Sequence, residues 1–158
     1  MRRLIVTTGL VAMLAFAASA LAVVPSQRAV FKGITSEHGV NGYKPTVQFT
    51  VVNGGRTLKF FVFQTLGCFG HGQFPVGVDP FIEFPWKLPA IPVSKTGTYS
   101  AKVKGTSTNA EAGTLFATVT GSFTSTTKAS GKITFTQDDG LADCGPKTVK
   151  FTVTAGTS

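Results

Sequence analysis

His38 and His71 are the only imidazoles in this 158-residue chain. Neither accompanies a serine or cysteine in a recognisable nucleophile motif, so acyl transfer has no visible constellation. Metal chemistry has half of one. Cys68-x-x-His71 supplies two zinc-type donors, and Asp143 with Cys144 would complete the set if the two stretches met. Two cysteines in an exported domain favour a disulfide over a metal, however, and no metal site is expected. Asp138, Asp139 and Asp143 surround Gly140 and offer carboxylate oxygens suited to calcium. They lack the alternating ligands and terminal Glu of an EF-hand, and Asp and Gly suit a polar hairpin loop. Asp79 and Glu83 form a carboxylate pair of the kind that glycoside hydrolysis uses, although both lie in one loop. No catalytic residue and no cofactor is assigned.

Aromatic side chains are the stronger signal. Phe69, His71, Phe74, Phe81, Phe84 and Trp86 fall between Cys68 and Pro92, a stretch without period that Pro75, Pro80, Pro85, Pro89 and Pro92 keep from forming a continuous ladder. The strand pattern before it is apolar on both faces, with Leu58, Phe60 and Val62 on one and Phe61 and Phe63 on the other. Such a strand needs cover on both sides. Either the loop 68–92 folds over the outer face as a second small core, or its aromatics stay exposed as a ligand-binding surface.

The elements that would position these residues begin after a leader. Arg2 and Arg3, the apolar run from Leu4 to Ala18 and the small residues after it form a secretory signal helix, residues 1–22, with cleavage after Ala20 or Ala22. An uncleaved leader would be the only membrane attachment. A short lead, 23–40, precedes a single β domain at 41–155. In that domain Val47, Phe49 and Val51 alternate with polar residues, and Asn53-Gly54-Gly55 makes a tight turn into a second strand. Lys95-Thr96-Gly97 and Ser130-Gly131 read as further turns. Tyr99, Ala101 and Val103, then Leu115, Ala117 and Val119, then Ile133 and Phe135, then Val149, Phe151 and Val153 each form one face of a strand. The expected fold is all-β: an antiparallel sandwich, immunoglobulin-like or jelly-roll-like, of about seven to nine strands. In an oxidising compartment Cys68 and Cys144 should form a disulfide, for which the chain-entropy model gives about 4 to 5 kcal/mol as an upper figure.

The net charge of +8 falls to +6 once Arg2 and Arg3 leave with the leader. Lys102, Lys104, Lys132 and Lys150 alternate with inward apolar residues, so they decorate solvated strand faces. Such an exterior would attract anionic cell-wall polymers or lipid headgroups through a weak, screened field, and cell-surface or extracellular polymers are the expected partners. No nucleic acid is expected as a partner, since only Arg28 and Arg56 survive processing and basic and aromatic residues do not interleave.

From Gly42-Tyr43 onward the chain resembles a broad group of exported bacterial β-rich proteins of uncharacterised function, best known from actinobacteria. The shared features are the strand Leu58 to Cys68, Ile91-x-Val93-x-x-x-Gly97-x-Tyr99, Gly121-x-Phe123 with Ala129-Ser130-Gly131, and Cys144-Gly145-Pro146 leading into Val149-x-Phe151. The resemblance implies a disulfide-linked sandwich and no activity, and the Phe- and Pro-rich loop is where this chain departs from it. The expected function is that of a secreted, non-enzymatic binding or structural module. The alternative is a hydrolase or enzyme inhibitor that uses residues 69–90.

Overall fold

The computed structural model describes residues 23–38, 42–66, 83–107, 113–138 and 143–156, with backbone alone at 66, 83, 84, 143 and 144. Among these residues all regular structure is strand: β1 (Val30–Thr35), β2 (Thr46–Val52), β3 (Thr57–Leu66), β4 (Glu83–Leu88), β5 (Ile91–Pro92), β6 (Thr98–Ser107), β7 (Thr114–Ser125), β8 (Lys128–Asp138) and β9 (Asp143–Ala155). No described helix is long and apolar enough to cross a membrane. The leader lies outside the described residues.

Every pairing is antiparallel, and the sheet closes on itself. β1 pairs with both β2 and β9, while β2 also pairs with β3. The circuit β1-β2-β3-β4-β6-β7-β8-β9 is an eight-stranded up-and-down barrel, and β5 extends β4 along β3. This corrects the expected sandwich to a closed barrel. The missing piece was β1, which falls in the stretch expected to be a lead. Its inward positions are Phe31, Gly33 and Thr35, so it lacks the apolar alternation that marks a strand. Eight strands enclose an interior that side chains alone can fill. Here it is aromatic: Phe49 stacks between Phe31 and Phe61 at centroid distances of 5.3 Å each, Phe123 meets Phe31 edge-on at 5.4 Å, and Phe63 meets Phe135 at 5.8 Å. Each fully buried ring of this size contributes about 1.5–3 kcal/mol.

Most of the alternating faces read from sequence point inward as expected, including Val47, Phe49, Val51, Leu115, Ala117, Val119, Ile133, Phe135, Val149, Phe151 and Val153. The Asn53-Gly54-Gly55 turn also stands, with all three residues at positive φ. Two local expectations are corrected. The β7–β8 turn is at Thr126–Thr127, and Ser130 and Gly131 sit inside β8. Gly131 lies opposite Gly121, and the two leave room for aromatic rings that cross the interior: a Cβ on Gly121 would strike the Tyr99 hydroxyl, and one on Gly131 would strike the Phe151 ring. The second correction concerns β3. A bulge places Phe60 at φ 52, so Leu58 and Phe61 both face in while Lys59 and Phe60 both face out. The strand is therefore not evenly apolar on its two sides. Phe60 is 72% exposed instead of lying under a second core.

The two ends of the barrel differ. Short turns and the segment 23–29 close one end, where Ser26 N–H donates to the Thr126 carbonyl at 2.9 Å and Arg28 N–H to that of Val51 at 2.8 Å. The connections β1–β2, β3–β4, β6–β7 and β8–β9 all leave from the other end.

Candidate binding face

Within the described residues, buried polar chemistry sits inside the loop end of the barrel. Trp86 is fully buried, and its indole N–H donates to the Thr65 hydroxyl at 3.0 Å. The Thr65 hydroxyl donates in turn to Gln137 Oε1 at 3.3 Å, and all three residues are almost wholly shielded from solvent. Nearby, the Lys147 ammonium pairs with the Glu37 carboxylate, whose side chain is only 4% exposed. Each group answers the cost of burying a polar atom, and this arrangement braces the barrel mouth.

Trp86 is thus a core residue held between β3 and β6, with register partners Phe63 and Ser107. Phe84 pairs with Thr65 through the backbone, and its side chain is not described. Phe69, His71, Phe74 and Phe81 lie outside the described residues, as do Asp79, Asp139 and Cys68, while Cys144 and Asp143 are described by backbone alone. His38 is exposed. No cluster of three or more metal-type side chains occurs among the described residues.

What the fold does assemble is the outer face of β6 to β9. Inward positions on these strands are apolar, so period-2 alternation sends Ser, Thr and Lys outward, and register aligns them into rows. One row runs Lys104–Phe116–Thr136, the next Lys102–Thr118–Thr134–Thr148, and the third Ser100–Thr120–Lys132–Lys150. A fourth runs Thr98–Ser122–Ser130–Thr152. Two adjoining depressions follow these rows along β7 and β8. The first, about 520 Å³, is lined by Lys102, Lys104, Phe116, Thr118, Thr134 and Thr136. The second, about 450 Å³, is lined by Thr120, Ser122, Ser130, Lys132, Lys150 and Thr152.

Lys102, Lys104, Lys132 and Lys150 form no ion pair with any described carboxylate. The one described acidic side chain on the face is Asp138, at the loop end of β8. Phe116 is the lone outward aromatic on these four strands, 56% exposed, with the Lys104 ammonium 5.8 Å from its ring centre. Sequence reasoning placed each lysine on a solvated face but passed over Phe116. Its signal was an aromatic at an outward position in a strand of Thr and Ser. Compared with known protein families, curated proteins and solved structures, the chain matches none of them.

Proposed function

We propose that this chain is an exported, non-enzymatic binding module that holds acidic extracellular or cell-surface polymers on the outer face of β6 to β9. The observation that carries this reading is two pairs of lysines on either side of β7, Lys102 and Lys104 on β6 and the directly opposed Lys132 and Lys150 on β8 and β9, all without described acidic partners. Like charges set face to face cost stability, and a bound polyanion offsets that cost. The interior favours an external site too, because its centre is occupied by stacked and edge-on rings.

In this reading the leader 1–22 is removed after Ala20 or Ala22, the mature chain works outside the cell, and Cys68 and Cys144 form a disulfide. Support for the bridge comes from β3 and β8: Thr65, which precedes Cys68 on the chain, bonds Gln137, whose cross-strand partner is Cys144. The test is retention of the mature protein on immobilised acidic and neutral polymers at increasing salt. Retention on acidic polymers that fades with salt is expected. Equal retention on neutral polymers, or none on any, overturns the reading.

A further inference from the structure

Resting on that reading, we infer that the two depressions along β7 and β8 together bind a linear acidic polysaccharide, with one sugar ring on Phe116 and its acid groups beside Lys102, Lys104, Lys132 and Lys150. From Phe116 to Ser122 the outward positions of β7 cover about 20 Å at strand rise, long enough for several consecutive sugar rings. The lysines flank this line on both sides, from β6 and from β8 and β9. Between them Thr118, Thr120, Ser122, Ser130 and Thr134 supply hydroxyls on a lining that is otherwise largely apolar, with Ala117, Gly121, Gly131 and Pro146. Hydroxyls both donate and accept, which matches the mixed donors and acceptors of a sugar edge.

Two features choose a glycan over other polyanions. A single-stranded nucleic acid needs a platform for each successive base, and this face has one aromatic. A lipid surface needs a broad apolar face to insert, and the only described outward apolar neighbour of Phe116 in its depression is Pro146, among Lys102, Lys104, Thr118, Thr134 and Thr136. The aromatic gives the sugar ring an apolar surface, and the Lys104 ammonium, 5.8 Å over the Phe116 ring centre, puts a cation within reach of a uronate or sulfate on a sugar seated there.

The experiment is calorimetric titration of the mature protein with heparin oligosaccharides, alginate oligosaccharides, inorganic polyphosphate, single-stranded oligonucleotide and neutral dextran. Acidic oligosaccharides are expected to bind at least tenfold more tightly than polyphosphate or oligonucleotide, with no binding to dextran. Phe116→Ala should weaken oligosaccharide binding about three- to tenfold and leave polyphosphate unchanged, while Phe116→Tyr restores it. Lys132→Gln with Lys150→Gln should weaken every acidic ligand. An unchanged melting temperature shows that each variant is folded. Equal binding of polyphosphate and oligosaccharide with a silent Phe116→Ala overturns the glycan inference and keeps the acidic-polymer reading. Tighter oligonucleotide binding also overturns the glycan inference. Absence of binding to every acidic ligand overturns both.

Discussion

Lys132 and Lys150 are direct cross-strand partners on the outer face of β8 and β9, and neither has a described carboxylate beside it. Opposite charges in such a position stabilise a sheet, and like charges destabilise it by similar amounts. Lys150→Glu should therefore raise stability by about 0.2–1 kcal/mol, with the gain shrinking in high salt. The same substitution should weaken binding to acidic polymers. Paired denaturant melts and retention assays check both halves, and a variant that is less stable at low salt would contradict the repulsion.

Phe60 sits at φ 52 with most of its ring in solvent. A bulky side chain in the left-handed region carries a steric cost of about 1–2 kcal/mol, and here little burial offsets it. Phe60→Asn keeps the bulge with a residue that tolerates this conformation. It should leave stability unchanged or raise it by about 1 kcal/mol. A large loss would mean that the exposed ring supports the fold.

Burial pushes the Tyr99 hydroxyl well above its ordinary pKa of 10.0, and the hydroxyl donates to the Ser130 carbonyl at 3.2 Å. The folded state thus holds a proton that the unfolded chain releases near pH 10. Its contribution is complete below that pH and is lost as pH rises further, so stability falls with alkalinity. Tyr99→Phe should cost about 0.5–1.5 kcal/mol at neutral pH through the lost hydrogen bond. It should also flatten the decline above pH 10 relative to the parent, as read from urea melts across pH 8–12.

Trp86 is the single tryptophan of the chain and is wholly buried, so its fluorescence reports the barrel interior alone. Emission should lie at short wavelength and shift red in one step with global unfolding. Thr65→Val removes the hydroxyl that accepts the indole N–H and should cost about 1–3 kcal/mol. The denaturation midpoint followed at this fluorophore measures it.

The proposed disulfide has its own check. The denatured, unreduced mature protein should show no titratable thiol, and two after reduction, from Cys68 and Cys144. Two free thiols before reduction would refute the bridge.

The all-β class was legible because Val47 to Val51, Leu115 to Val119 and Val149 to Val153 alternate without interruption. Closure was not, since it depends on β1, where Gly33 and Thr35 break the apolar pattern, and on long-range pairing that local periodicity does not record. The bulge at Phe60 was hidden because every residue from Phe60 to Phe63 is apolar, so no polar position marks the flip. The candidate face was legible only in parts. Lys102, Lys104, Lys132 and Lys150 each showed as an outward residue, but their gathering follows from strand order.

Closing the barrel through β1 and β9 also sets the timing of folding. Phe31 meets Ala155 and Thr35 meets Phe151, so the first described strand waits for the last. Contacts so distant in sequence form slowly, because the intervening chain must be ordered before they repay its entropy. Until then both strands present open hydrogen-bonding edges. A chain emerging N-terminus first cannot complete its structure before its final strand arrives, so each new copy spends the whole of its synthesis as an open sheet with two unpaired edges.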